Sequence, residues 1–212
     1  MVRKTKEEAE RTRQQILDAA GEVFHEHGVS NASLAQVAAA AGVTRGAVYW
    51  HFEDKAALFF ALHQSACAPL QANGDTWLLD ETLDPLLALE HAISDFFEML
   101  MGCPKLWKMF ETMVLRCEYV KEFATVRQEV NRPAREFLAK VQAVYRRAAE
   151  GGGLRAGLDP ELMALDTWVF VSGLLHQLLL VSNDDILRAR IPQMVTAHIA
   201  LRRCERAADI QI

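Results

Sequence analysis

The spacing of apolar residues constrains this chain more than any other feature. It keeps a helical period along almost the whole length, with no sustained apolar/polar alternation of the kind that marks strands. Between Glu7 and His27, residues Ile16, Ala20, Val23 and Phe24 recur on one helix face. Gly28 follows where a left-handed cap is needed. Ser33, with Gln36 three residues on, forms a capping-box pair that opens a short helix from Leu34 to Ala41, and Gly42 ends it. Thr44 caps a third helix through His51, and Asp54 a fourth from Lys55 to about Ala72. The stretch "NGDTWLLDETLDP", 73–85, reads as a loop. Amphipathic segments follow at roughly 84–101, 105–121, 123–149, 160–181 and 184–206, with a helix stop and restart in "EGGGLRAGLDP", 150–160. Pro133 either kinks its helix or marks a start. The fold class is all-α.

The window 33–52 carries a more specific arrangement. Two short helices that cross closely need a small residue in the first, and Ala38 is there. The turn between them needs a left-handed backbone, and Gly42 is there. Apolar residues must join the two helices, and Val37, Ala41, Val43 and Val48 stand at facing positions. Each requirement of a helix-turn-helix is met for its own steric reason. Thr44 to His51 is then the recognition helix, presenting Arg45, Gly46, Ala47, Tyr49, Trp50 and His51. Arg45 suits guanine O6 and N7. Gly46 and Ala47 let the backbone approach closely. Thr44, Tyr49, His51 and Lys55 suit phosphate oxygens. Phe52 reads as core, and Trp50 as half core and half DNA-facing.

Charge does not make this case by itself. The 212 residues hold 23 Lys and Arg against 28 Asp and Glu, a net charge of −5, which excludes a generally basic nucleic-acid coat. The N-terminal Arg3, Lys4, Lys6, Arg11 and Arg13 alternate with Glu7, Glu8 and Glu10, which fits a solvated helix start or a phosphate-contacting arm equally well. No apolar core marks the N-terminus as a secretion signal. The longest uncharged run, Thr167 to Asn183, is short for a membrane span and is read as a helix buried between helices. A cytoplasmic protein without membrane attachment is expected. Cys67, Cys103, Cys117 and Cys204 are scattered, with no ligand spacing, so no metal is expected. No nucleophile–base pair, phosphate loop or H-E-x-x-H motif appears, so neither catalysis nor a cofactor is expected.

The stretch "TRQQILDAAGEVFHEHGVSNASLAQVAAAAGVTRGAVYWHFEDKAALF" resembles the DNA-binding domain of the TetR family of bacterial repressors, from about Thr12 to Leu62. The opening "RKTK" and the segment Ala41–Lys55 resemble the branch that represses multidrug efflux pumps, the AcrR- and TtgR-like regulators, and Arg116–Phe123 resembles another segment of that branch. The resemblance implies about nine helices and a homodimer. It implies a DNA-binding helix-turn-helix domain over 1–55 and a helical ligand-binding and dimerisation domain over 56–212. It implies a DNA-facing set of Arg3, Lys4, Ser33, Leu34, Ala35, Thr44, Arg45, Gly46, Ala47, Tyr49, Trp50, His51 and Lys55 on double-stranded operator DNA.

For the second domain, large adaptable apolar residues interrupted by polar ones suggest a pocket for a hydrophobic small-molecule inducer. His63 and Cys67 form an i,i+4 pair on the linking helix, and His63 is assigned to the pocket because corresponding positions line it in the resembling branch. Phe96, Trp107, Met113, Arg116, Gln128 and Phe170 complete the set. Arg116 suits an anionic or polar ligand feature, or an ion pair with Glu118 or Glu122. The helix around "ALDTWVFVSGLLHQLLLV" is apolar nearly all round. A stripe of Trp168, Val171, Leu175 and Leu179 is expected to pair with a second copy in the family's four-helix bundle. The function expected is a ligand-released repressor of an efflux-pump operon. The alternative is a regulator of a metabolic operon that senses an acyl-CoA, a lactone or an aromatic acid.

Overall fold

The computed structural model describes residues 6–117, 126–181 and 185–204. Among these the secondary structure is helical throughout, apart from one isolated bridge between Leu154 and Arg203. The ten helices are α1 (Lys6–His27), α2 (Leu34–Ala40), α3 (Arg45–His51), α4 (Lys55–Leu78), α5 (Pro85–Gly102), α6 (Pro104–Leu115), α7 (Val126–Val130), α8 (Arg132–Glu150), α9 (Pro160–Leu180) and α10 (Asp185–Ala200). They form two compact units. One comprises residues 1–68 and 103–132, the other 69–102 and 133–212. The division therefore does not follow a single cut at residue 55. Helix α4 runs through the boundary, and Pro69 sits inside it there. Helix α6 belongs with the N-terminal helices because it packs along α1.

In the first unit, the periodic face of α1 (Ile16, Leu17, Ala20, Val23, Phe24) is buried against Val37, Val48, Phe52, Leu58, Phe59 and Met109. The expected caps are present. The Ser33 N–H donates to Gln36 Oε1 (2.8 Å), and the Gln36 N–H donates to Ser33 Oγ (3.3 Å). The Ala47 N–H donates to Thr44 Oγ1 (3.1 Å), and the Ala57 N–H to Asp54 Oδ1 (2.7 Å). These bonds satisfy amide groups that a helix start leaves open.

Gly42 adopts φ 65°. Its N–H donates to the Ala39 carbonyl (3.2 Å), and the Val43 N–H donates to the Ala38 carbonyl (3.0 Å). This paired return is a Schellman cap. It stops α2 and turns the chain so that α3 crosses it, with Val37, Ala38 and Val48 buried between them.

The second unit holds the rest of α4 with α5, α8, α9 and α10; α10 packs on α5 and α9. Its buried residues include Leu89, Ile93, Phe97, Val141, Tyr145, Val171, Leu178 and Ile199. The expected loop at 73–85 starts later, since α4 continues through Asn73 and Gly74 to Leu78. Tertiary bonds outweigh the weak local propensity: Trp77 Nε1 donates to Asp95 Oδ2 (2.8 Å), and Lys140 pairs with Asp75. Pro133 falls at the start of α8, where its missing N–H costs nothing. Residues 202–204, just after α10, are pinned to the α8–α9 turn, with Arg155 N–H donating to the Arg202 carbonyl (2.8 Å) and Cys204 N–H to the Gly153 carbonyl (2.9 Å).

A Cβ at Gly42 would meet no atom within 4 Å, so substitution tests the backbone conformation alone. Gly42→Ala is expected to cost about 1 kcal/mol through left-handed strain, read as a lower urea midpoint without a changed slope.

Candidate functional site

The α2–α3 crossing decides which side of α3 meets solvent. Val48 is fully buried, which commits that side to the core. Thr44, Arg45, Gly46, Tyr49 and Trp50 then stand outward, with Ala47 and His51 half-buried. Trp50 is 72% exposed and Tyr49 49% exposed. Two large rings side by side in water are costly unless a partner covers them. The Arg45 guanidinium lies over the Tyr49 ring (5.8 Å to the centroid), with Nη2 donating to the hydroxyl at 3.4 Å. His51 meets the edge of Trp50 at 4.5 Å. A Cβ at Gly46 would touch only Thr44 Oγ1, at 3.8 Å, so internal packing does not require glycine there. The face offers one cation, a phenol and an indole on a backbone that can be approached closely, and no acidic side chain stands in the first turn.

The other residues assigned to this face divide. Ser33 and Ala35 are exposed at the start of α2. Leu34 is buried in the core of the first unit, because its position at the start of α2 points it inward beside Val37 and Ala38. Lys55 Nζ donates to the carbonyls of Ser30 (2.9 Å) and Ala32 (3.1 Å). Its ammonium thus holds the α1–α2 loop to the start of α4, a role that spacing does not reveal. Arg3 and Lys4 lie outside the described residues. Sequence reasoning missed Arg13, whose guanidinium sits over the Phe52 ring at 5.5 Å and ties α1 to the end of α3.

The residues assigned to a ligand lie in both units. In the first unit, His63 and Cys67 are buried, with His63 Nε2 and Cys67 Sγ 3.3 Å apart. Burial, aided by the charge of Arg132, holds the His63 imidazole down to about 4, and burial pushes the Cys67 thiol up to about 12. Both are neutral at pH 7. Trp107 and Met113 are half-buried on α6, and Met113 packs on the core of the unit. Gln128 is exposed on α7. Arg116 is exposed and engaged within the unit, donating to Glu111 Oε1 (2.7 Å) and to the His25 carbonyl (2.8 Å). It ties the end of α6 to α1; Glu118 and Glu122 lie outside the described residues. Burial alone would raise the Glu111 carboxyl, but hydrogen bonds from His25 and Arg116 outweigh it and hold it below its usual range. In the second unit, Phe96 meets Phe97 edge-on at 5.2 Å. Phe170 stacks on His198 at 3.9 Å. His198 also meets Thr167 Oγ1 (3.0 Å), which meets the buried Tyr145 hydroxyl (2.7 Å).

Helix α9 is long and apolar enough to cross a membrane by length and composition. Val171 and Leu179 are buried in their own unit, Trp168 lies against Phe137 and Leu175 is half-buried, so this stripe faces the protomer interior. The exposed apolar positions are instead Leu162, Leu165, Val169 and Leu180, on α10 Ile186 and Met194, and Leu201 just after it.

A three-helix head with an outward aromatic and basic recognition face, followed by a larger helical unit, is the build of a DNA-binding regulator. Residues 16–62 match the family model of bacterial regulatory proteins, tetR family. The chain is 30% identical over 207 residues to the HTH-type transcriptional regulator TtgR of Pseudomonas putida, covering 96% of this chain and 97% of that one. It is 35% identical over 179 residues to the regulator AcrR of Shigella flexneri, covering 83% and 82%. In three dimensions it is similar to SmeT, the repressor of the Stenotrophomonas maltophilia multidrug efflux pump SmeDEF, with a TM-score of 0.76, 29% identity and 91% of each chain covered. The chain belongs to the tetR family of bacterial transcriptional regulators.

Arg45→Ala is expected to lower affinity for a specific DNA site by about 1–3 kcal/mol, with melting temperature unchanged and non-specific binding much less affected. Lys55→Met is expected to do the converse, lowering the melting temperature while leaving the salt dependence of DNA binding in place. Parallel thermal melts and fluorescence-anisotropy titrations check both.

Proposed function

We propose that this protein is a homodimeric, ligand-responsive repressor of a multidrug efflux-pump operon, released from its operator by lipophilic small molecules. The observation that carries this reading is the solvent-exposed Arg45–Tyr49–Trp50 face on α3, set in a chain similar over nearly its full length to regulators of that branch. SmeT has been solved in complex with triclosan, an apolar phenol, at 30% identity to this chain. Operator binding would place the protein in the cytoplasm.

The exposed positions on α9 support the dimer. Leu162, Leu165, Val169, His176 and Leu180 recur at steps of three, four, seven and four residues, the spacing of a helix-pairing seam. Val169 is 65% exposed and Ile186 on α10 78% exposed. A face of this kind is rarely left uncovered in a soluble protein, and a second copy presenting the same face closes it by two-fold symmetry. Two recognition helices about 34–36 Å apart then meet successive major grooves.

Ligand acts by preferring a conformation in which that spacing is lost, and only to the extent of its differential affinity for the two states. Helix α4, shared by both units and holding Pro69 within it, is the element that carries the change.

Anisotropy titration on the DNA upstream of the protein's own gene tests the reading. Tight binding is expected to weaken by orders of magnitude between about 50 and 200 mM salt, and to be reversed by hydrophobic antimicrobials or plant phenolics. Specific binding that no such compound reverses would remove the efflux assignment. Val169→Glu is expected to yield monomers by sedimentation and to lower operator affinity at least about tenfold, since one head loses the contribution of the other.

A further inference from the structure

A long arginine side chain in water ordinarily samples many rotamers. Arg45 is exposed at the start of α3, yet it is held. Its guanidinium lies over the Tyr49 ring, 5.8 Å from the centroid, and Nη2 donates to the phenol oxygen at 3.4 Å. The two residues are four apart, so a helix brings them together on one flank. Among the described residues Tyr49 alone engages this guanidinium. Neither side chain is needed for packing. Val48 supplies the buried contact of α3, and Tyr49 remains 49% exposed. The pairing of the two therefore calls for a reason outside the fold.

We propose that Tyr49 is a positioning residue, which presets the Arg45 guanidinium to read a guanine and so sets sequence specificity. The inference rests on the DNA-binding reading above and gives Tyr49 a different part from a phosphate contact. Its basis is the planarity of guanidinium. Stacking on a ring uses the flat face. The N–H groups point outward in the plane, so a stacked arginine still offers its edge to guanine O6 and N7. A lysine ammonium has no such division of face and edge. A cation–π contact at an exposed site favours the stacked arrangement by about two- to fivefold. That part of the ordering is complete before DNA arrives, and the advantage appears in binding. It appears in base reading above all. A phosphate accepts a cation from many directions, whereas the two guanine acceptors need the fork at one angle.

The test uses the full-length protein and a duplex that it binds specifically, taken from upstream of its own gene or selected from random sequence. Each G·C pair is replaced in turn by A·T, and affinities are read by fluorescence anisotropy. The guanine read by Arg45 is the one whose replacement weakens wild type at least about fivefold and leaves Arg45→Ala unaffected. At that guanine Tyr49→Ala is expected to lower the discrimination about two- to fivefold, with the melting temperature and the salt slope unchanged. Tyr49→Phe keeps the ring and is expected to keep most of the discrimination. In the Arg45→Ala background, Tyr49→Ala is expected to add nothing, because the residue it positions is gone. A Tyr49→Ala loss that is uniform across sequences, with a salt slope smaller by about one, identifies a phosphate contact and overturns the inference. A full Tyr49→Ala loss in the Arg45→Ala background overturns it too, as does an Arg45→Ala variant that discriminates every pair as wild type does. In those cases specific binding remains and only the inference fails. If wild type selects no duplex, the DNA-binding reading fails with it.

Discussion

The turn at Gly42 is the constraint on which the DNA-facing part depends. A left-handed residue there lets the Val43 and Gly42 amides return to the Ala38 and Ala39 carbonyls, closing α2. The chain leaves at an angle that places Val48 against Val37 and Ala38. Once Val48 is buried, the helical period of α3 turns Trp50 away from the core, while Tyr49 and, at the helix start, Arg45 stand exposed at its flank. The recognition face is thus a geometric consequence of one backbone conformation and one buried valine. Its chemistry is added by side chains that contribute little to folding, which is why they are free to serve binding.

The same unit shows how polar groups are spent when they are close to the core. Lys55 and Arg116 look like surface cations in the sequence, suited to phosphate or to an anionic ligand. In the fold each satisfies carbonyl oxygens that have no helix partner: Ser30 and Ala32 for Lys55, and His25 for Arg116. A charge-assisted bond to a carbonyl at a loop or helix end is worth more than an exposed ion pair. These two cations therefore stabilise the joints around α1. The actual ladder between α1 and α6 is made of Asp18–Lys105, Glu22–Lys108 and His25–Glu111, pairs about ninety residues apart in sequence that no local pattern announces.

In the second unit the decisive fact is that α9 is apolar nearly all round. An amphipathic helix declares its inner face by its pattern; α9 does not. The stripe Trp168, Val171, Leu175, Leu179 and the stripe Leu162, Leu165, Val169, Leu180 are equally plausible from spacing. Only packing against α10 and α8 shows that the first is turned inward and the second outward. The buried Tyr145–Thr167–His198 chain then fixes the rotation of α9, because Thr167 must meet both neighbours at once.

The amino-acid sequence by itself determined the helical class, the position of nearly every helix start, the caps at Ser33, Thr44 and Asp54, the turn at Gly42 and hence the recognition helix. These are local: each depends on residues within one turn, where backbone hydrogen bonding and steric limits act without help. The tertiary structure alone decided the rest. It drew α6 into the N-terminal unit, carried α4 through Asn73 and Gly74, buried Leu34, engaged Lys55 and Arg116, and chose the outer face of α9. Each of these depends on atoms brought together from distant parts of the chain, and neither the period nor the composition of a single segment contains that information.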